Sequence, residues 1–235
     1  MKKFIIAIAM LFGFVSSASA ISGVNIGISL TAGQFEADGA AEKFTGAHGG
    51  SAVPSPGNVT KKASDEGDSA EALFAFPSIF IEKTLGDRLS IGVDYVPTTL
   101  DTETAENIQN RPGGAVQVDS QTTNTVQVDF EDLTTVYAKI NMGDNLYLKA
   151  GLVSVDVVTN ESLGTGGAYG NTDLDGHMIA IGYNRDLDTG AFLRVEAHTM
   201  DLDGVTLTNT ADSTKSVTAD GVSGYGAKLS IGRSF

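Results

Sequence analysis

The stretch Tyr225-Gly-Ala-Lys-Leu-Ser-Ile-Gly-Arg-Ser-Phe235 sorts its side chains into two files. Tyr225, Ala227, Leu229, Ile231, Arg233 and Phe235 form one file, five of the six being apolar. Gly224, Gly226, Lys228, Ser230, Gly232 and Ser234 form the other, with no large apolar side chain among them. A period of two is the signature of a strand, because successive side chains point to opposite faces of a pleated backbone. The last residue, Phe235, lies on the apolar file, with nothing after it to cover that face.

Working back from this stretch, seven more segments alternate in the same way. Val24, Ile26, Ile28, Leu30 and Ala32 share a face opposite Asn25, Gly27, Ser29 and Thr31. A second strand over about 74–85 sets Ile79 and Ile81 against Glu82, and its start, Phe74 to Ser78, is ambiguous in phase. In the third, Leu89, Ile91, Val93 and Tyr95 oppose Ser90, Gly92 and Asp94, and Pro97 marks its end. In the fourth, Val126, Val128, Phe130, Val136, Ala138, Ile140 and Met142 share one parity, with Thr135, Tyr137, Lys139 and Asn141 on the other. The fifth turns Leu146, Leu148, Ala150 and Leu152 one way and Tyr147, Lys149 and Gly151 the other, until Val153, Val155 and Val157 take over the opposite parity. That change predicts a bulge or emergence from a bilayer. The sixth sets Ile179, Ile181 and Tyr183 against Met178, Ala180, Gly182 and Asn184; the seventh sets Ala191, Leu193, Val195 and Ala197 against Phe192, Arg194, Glu196 and His198.

The connections alternate long and short. Short turns fall at Gly86-Asp87-Arg88, Gly143-Asp144-Asn145 and Asp188-Thr189-Gly190, and polar segments fall at about 36–73, 100–125, 159–175 and 201–220. Eight strands of about ten residues suit a tilted crossing of a hydrocarbon layer ~30 Å thick. Two barrels share this pattern. A soluble one, lipocalin-like, would turn the apolar file inward; a membrane one would turn it outward to lipid.

The polar file decides between them. It holds Glu82, Asp94 and Glu196 with Lys139, Lys149, Arg194 and Lys228. A basic side chain facing mid-bilayer lipid costs about 2–4 kcal/mol, so in a membrane barrel these groups must point inward. Eight strands enclose only enough room for side chains to fill, and nearly balanced charges can pair there. Counting up from each turn at roughly 2.5 Å per residue puts Glu82, Lys139, Lys149 and Arg194 in a lower layer, and Asp94, Glu196, His198 and Lys228 higher. The expected contacts are Glu82 with one or more of the lower cations, and Glu196 with Lys228.

The other end of the chain reads as an export signal over residues 1–20: Lys2-Lys3, an apolar run from Phe4 to Val15, and Ala18-Ser19-Ala20 as a cleavage site. The barrel domain is then 21–235. No later apolar run approaches a membrane helix, so spans must be strands. The chain has no Cys, which excludes a disulfide scaffold and a lipid anchor on an N-terminal Cys. Setting Lys2 and Lys3 aside leaves 13 basic against 29 acidic residues, a net charge of −16, which argues against nucleic acid as a partner. Most of that excess lies in the four polar segments. It reads as solubility, or as a surface for divalent cations bridging to an anionic neighbour.

Taken together, the amphipathic last strand with its terminal aromatic resembles the closing strand of Gram-negative outer-membrane β-barrels. The family's usual aromatic two residues before the end is here Arg233. The 21–235 region looks like the transmembrane portion alone of an OmpA/OmpX-type barrel: all-β, eight antiparallel up-and-down strands, short periplasmic turns and long extracellular loops, with no further domain expected. The resemblance implies integral outer-membrane localisation, a monomer, lipids and lipopolysaccharide as surroundings, and Leu229, Ile231 and Phe235 as the signal read by the barrel-assembly machinery. It also implies a non-enzymatic role in envelope structure or surface interaction. An OmpW-like channel for small solutes and a surface enzyme are the alternatives.

No cofactor or metal is expected. Asn171-Thr-Asp173-Leu-Asp175-Gly176 resembles the opening of a calcium loop, but its twelfth position is Gly182, where a bidentate Glu is needed. His198 is followed by Thr199 and Met200, so the His-x-Ser spacing of barrel deacylases is missing, and no catalytic residue is assigned.

Overall fold

A computed structural model describes residues 23–38, 41–44, 70–102, 104–111, 120–164, 166–211, 213 and 215–235. The expected leader over 1–20, its cleavage site and His48 lie outside the described residues. The strands are β1 (Val24–Asp38), β2 (Ala41–Phe44), β3 (Ala70–Leu85), β4 (Leu89–Tyr95), β5 (Leu100–Asp101), β6 (Ala105–Arg111), β7 (Ser120–Met142), β8 (Leu146–Leu163), β9 (Thr172–Asp186), β10 (Ala191–Thr208) and β11 (Lys215–Ser234). Eight of them form the wall in the order β1-β3-β4-β7-β8-β9-β10-β11, every pair antiparallel, and β11 pairs back onto β1 to close it.

Closure runs from Asn25↔Ser234 to Asp38↔Gly221, and the backbone N–H of Phe235 donates to the carbonyl of Val24 at 2.8 Å. Closing the sheet on itself pairs the edges that an open sheet would leave exposed. The three tight turns sit at one end with both strand termini. Gly86 and Gly143 take φ of 67° and 79° there, the left-handed backbone that a two-strand reversal needs.

The register carries each file around the barrel. Ile26 lies opposite Ile81, Ile81 opposite Val93, Val93 opposite Val136 and Val136 opposite Leu152, so these side chains share the outer surface. Ile28, Leu152, Ile179, Ile181, Val195 and Leu229 are among its exposed apolar residues, whereas the intervening polar positions are buried. Val93 and Tyr95 lie on this file by register but are shielded. An apolar belt outside a charged interior is the inverse of a soluble barrel and matches a lipid-facing wall.

Three expectations are corrected or narrowed. First, the polar segments are not simply loops. β10 and β11 stay paired as far as Thr208↔Ser216, β2 adds to β11 over Lys215–Thr218, and β6 pairs with β7 over 105–111. Polar, Thr-rich sequence is compatible with strands standing in water, where neither face has to meet lipid.

Second, the apolar residues of β8 change file with no bulge on that strand, which leaves emergence from the bilayer as the reading of the switch. Val153, Val155 and Val157 stay on the inward file that already holds Tyr147 and Lys149, and all three are buried. The irregularity is on β7, between Glu131↔Asp156 and Thr134↔Ser154, where Asp132 and Leu133 together face Val155. Asp132 takes φ 55°, and its carboxylate accepts from the Tyr95 hydroxyl at 2.6 Å. Third, this bulge separates residues that share parity in the sequence: Val136, Ala138, Ile140 and Met142 face out, while Val128 and Phe130 pack against the interior.

The interior therefore changes character part-way up. Below the bulge it is charged and aromatic; above it lies an apolar cluster including Phe76, Leu133, Val155, Leu174, Met200 and Leu202. The outer surface reverses at about the same height, where Glu131, Asp156 and Asp173 lie opposite one another on β7, β8 and β9. The segment resembling a calcium loop runs into the start of β9, where Asp173 and Asp175 lie side by side on the outward face of an extended strand instead of on a loop wrapped around an ion. Among the described residues no cluster of His, Asp or Glu is arranged to hold a metal ion.

Candidate functional site: the filled lumen

Below the bulge, the tilt of the strands brings charged side chains from three of them, β3, β7 and β10, toward one centre. Glu82 on β3 is fully buried. Its carboxylate accepts from Lys139 Nζ at 2.7 Å, from Arg194 Nη1 and Nη2 at 3.0 Å each, from Asn25 Nδ2 at 2.9 Å and from the Tyr137 hydroxyl at 3.2 Å. Two cations and two neutral donors thus share one carboxylate. Paired guanidinium bonds of this kind fix orientation as well as charge. Arg194 is held further by Nε donating to Asn184 Oδ1 at 2.9 Å.

Higher up, Lys149 Nζ lies 2.6 Å from Glu196 Oε2, and the Tyr147 hydroxyl donates to the same carboxylate at 3.1 Å. Lys228 Nζ donates to Asp94 Oδ2 at 2.8 Å. Glu82 meets two of the three lower cations, in line with the expected cluster, and the third, Lys149, goes to Glu196. In place of the expected Glu196–Lys228 pair, Lys228 crosses to Asp94 although Glu196 is its register neighbour on β10. The inward file of β9 explains the Lys149 contact. Ala180 and Gly182 are too small to separate β8 from β10, so the Lys149 side chain reaches over them. With Glu196 occupied, Lys228 turns across the narrow lumen.

Rings fill what the ion pairs leave. Tyr137 lies across Gly92, its register partner on β4, and Tyr147 lies across Gly182, its partner on β9. A methyl at Gly92 would stand 2.5 Å from Tyr137 Cζ, and one at Gly182 would stand 2.2 Å from Tyr147 Cζ, so each ring rests directly on bare backbone. Phe80 over Gly27 and Phe192 over Gly232 repeat the arrangement. The cations sit over these faces: Lys149 Nζ is 4.8 Å from the Tyr137 ring centre and the Arg194 guanidinium 4.4 Å from that of Phe192.

The sequence reading placed Tyr137 and Tyr147 on the polar file without giving them a role, and gave none to Asn25 or Asn184. The missed signal was a glycine opposite each inward ring, visible once a strand register is assumed.

The remaining candidates lie elsewhere. His198 is buried above the ion pairs, with Nδ1 unpartnered among the described residues. His177 and Asp201 are register partners on the outer surface, 3.7 Å apart and both more than half exposed. Leu229, Ile231 and Phe235 face outward, and the Arg233 guanidinium lies 5.6 Å from the Phe235 ring centre.

No protein-family model matches the chain, and no curated protein does. Solved structures with similar architecture include Neisserial surface protein A, NspA, at 10% identity and TM-score 0.42, covering 91% of this chain and 98% of that one. The outer membrane protein AlkL, solved in lipid bilayers, has 13% identity and TM-score 0.49, covering 94% and 93%. The outer membrane protease OmpT from Escherichia coli has 9% identity and TM-score 0.38, covering 92% of this chain and 98% of that one. Such identities bear on architecture and not on role. From its own register and burial, the chain is a closed eight-stranded antiparallel barrel with an apolar, lipid-compatible outer wall and a charged, filled lower lumen.

Proposed function

We propose that this protein is a non-conducting, non-enzymatic barrel of the outer membrane, exported by its first twenty residues, that serves envelope structure or surface interaction by presenting acidic hairpins outside. The observation carrying this reading is the Glu82 cluster, in which one buried carboxylate ties β3, β7 and β10 together across the lumen. A water-filled pore would separate these groups; here they meet at bonding distance, with rings resting on glycine between them. The extended hairpins outside the lipid belt carry Glu131, Asp156, Asp173, Asp201 and Asp203, which suits contact with cationic or cation-bridged surfaces such as lipopolysaccharide. Assembly would use the outward Leu229, Ile231 and Phe235, and the closed wall makes a monomer sufficient.

Single-channel recording in planar bilayers tests the reading. The folded protein should add no conductance steps above the bare membrane, whereas regular steps would support a small-solute channel instead. The apolar upper lumen is the one feature that favours a channel for apolar solutes, and the ion-paired floor beneath it is what would stop through-passage.

A further inference from the structure

Within the lipid belt the outward files of β9, β10 and β11 carry no carboxylate; Asp173, Asp175, Asp201 and Asp203 all stand above it. The only charges on this part of the belt are Arg185 on β9 and Arg233 on β11, both exposed and both in its lowest rows, beside the tight turns. A chain with a large acidic excess thus keeps a basic rim at one end of its outer wall.

Register sets the two arginines on either side of one small residue. Arg185 lies opposite Leu193, two residues along β10 from Ala191, and Ala191 lies opposite Arg233. Two strand spacings across and two residues along put their Cα atoms ~12 Å apart, so both long side chains can bend over the Ala191 methyl from opposite sides. Leu187 stands beside the same methyl, its N–H donating to the Ala191 carbonyl at 2.8 Å, and Leu193 and Ile231 add exposed apolar surface above.

No carboxylate side chain answers these charges. Neither arginine forms an ion pair with a side chain among the described residues, and the Arg233 guanidinium lies over the Phe235 ring. Asp186 follows Arg185 in sequence but belongs to the other file, where its carboxylate accepts from Asn184 Nδ2 at 2.8 Å; Asp188 lies beyond the strand end in the turn. Lys83, the third cation of this rim, stands on β3, separated from Arg233 by β1.

The position of the pair defines what it can bind. Its aliphatic stems rest on an apolar wall while its guanidinium groups reach the headgroup layer, so a partner must be hydrocarbon at one end and anionic at the other. Guanidinium forks match the oxygens of a phosphate.

We propose that Arg185 and Arg233 form a clamp over Ala191 for the headgroup of an anionic phospholipid, one phosphate shared between the two guanidinium groups and the acyl chains lying along Leu193 and Ile231. The clamp presupposes the lipid-facing wall and goes beyond it, because it gives one sector of the barrel a preferred lipid. Net charge alone predicts the reverse. A chain carrying −14 repels an anionic membrane as a whole, so a preference for anionic lipid in this sector requires a local site.

The chain contains no Trp, which allows a single fluorescent reporter to be placed at will. Leu193→Trp sets one beside the clamp, and Ile140→Trp sets one on β7, three strands away among apolar neighbours. Each full chain is refolded into vesicles mixing phosphatidylcholine and phosphatidylglycerol, with one lipid or the other dibrominated, and quenching gives the relative affinity of the two lipids at that position. The reporter at 193 should favour phosphatidylglycerol about fivefold, and the reporter at 140 should show no preference. Arg185→Gln combined with Arg233→Gln should remove the preference at 193 while the folded gel mobility is kept. If Leu193→Trp does not fold, Ile231→Trp reports on the same sector. Equal affinity of the two lipids at 193, an equal preference at both reporters, or a preference that survives loss of both arginines would each overturn the clamp and leave the lipid-facing wall standing. Failure of either brominated lipid to quench at 193 would remove clamp and wall together.

Discussion

Arg194 and Glu82 stand 112 residues apart in sequence and meet in the middle of the barrel through two parallel bonds of 3.0 Å, Nη1 to Oε2 and Nη2 to Oε1. Lys139 adds a third charged contact to the same carboxylate at 2.7 Å. Removing the carboxylate would strand two buried cations at once. Glu82→Ala should therefore lower stability by about 3–5 kcal/mol. Asp203→Ala, on an exposed hairpin, should change it by less than about 0.5 kcal/mol. Urea unfolding of the two variants in the same lipid, followed by gel mobility, measures the difference.

The upper pair offers a cleaner separation of charge from packing. Lys149→Met or Glu196→Leu alone leaves an unpaired charge in the lumen and should cost several times what the double substitution costs. Replacing both partners of a buried pair with apolar groups of similar volume is often close to neutral. A double-mutant cycle by urea titration should show coupling of about 1–3 kcal/mol. A cycle that closes with no coupling would place Lys149 and Glu196 outside one network.

The glycines beneath the rings make a steric prediction. Gly182→Ala puts a methyl 2.2 Å from Tyr147 Cζ, and Gly92→Ala puts one 2.5 Å from Tyr137 Cζ. Each should cost about 1–3 kcal/mol by overpacking. Gly221→Ala is the control, because its nearest neighbour is a backbone oxygen at 3.4 Å. Pairing Gly92→Ala with Tyr137→Leu should recover part of the loss, since the branched side chain does not reach as far across the neighbouring strand.

The lipid-facing file is equally specific. Ile181 is 51% exposed on the apolar belt, and Ile181→Arg should cost about 2–4 kcal/mol. Leu187→Arg, beside the tight turn, should cost no more than about 1 kcal/mol, because its charge reaches the headgroups. Refolding yield into vesicles of fixed thickness reports both.

How far the sequence could be read follows from where the surroundings impose a rule. Within the bilayer every outward position must be apolar and a charge must turn in. Ile26, Leu148, Ile179 and Leu229 therefore announce their face, and so do Glu82 and Arg194. Outside the bilayer that rule lapses. The strand character of 105–111 and 201–208 was hidden in polar sequence for this reason. Likewise Val153, Val155 and Val157 looked like a change of phase when the lumen itself had changed from charged to apolar. Partner choice among the lumen charges was also hidden. It depends on the stagger between strands and on the small size of Ala180 and Gly182, which let Lys149 pass to Glu196, and neither is visible in a single strand. The β7 bulge at Asp132 gave no sign in composition, because the residues on its two sides share parity.

Which file of side chains meets lipid is tested most directly by site-directed spin labelling. The chain contains no Cys, so a single Cys can be introduced at Ile28, Ser29, Ala180 or Ile181 with no background. In vesicles, nitroxides at 28 and 181 should collide freely with oxygen and hardly at all with a water-soluble nickel chelate. Those at 29 and 180 should be immobile and shielded from both. High oxygen accessibility at 29 and 180 with burial at 28 and 181 would contradict the account.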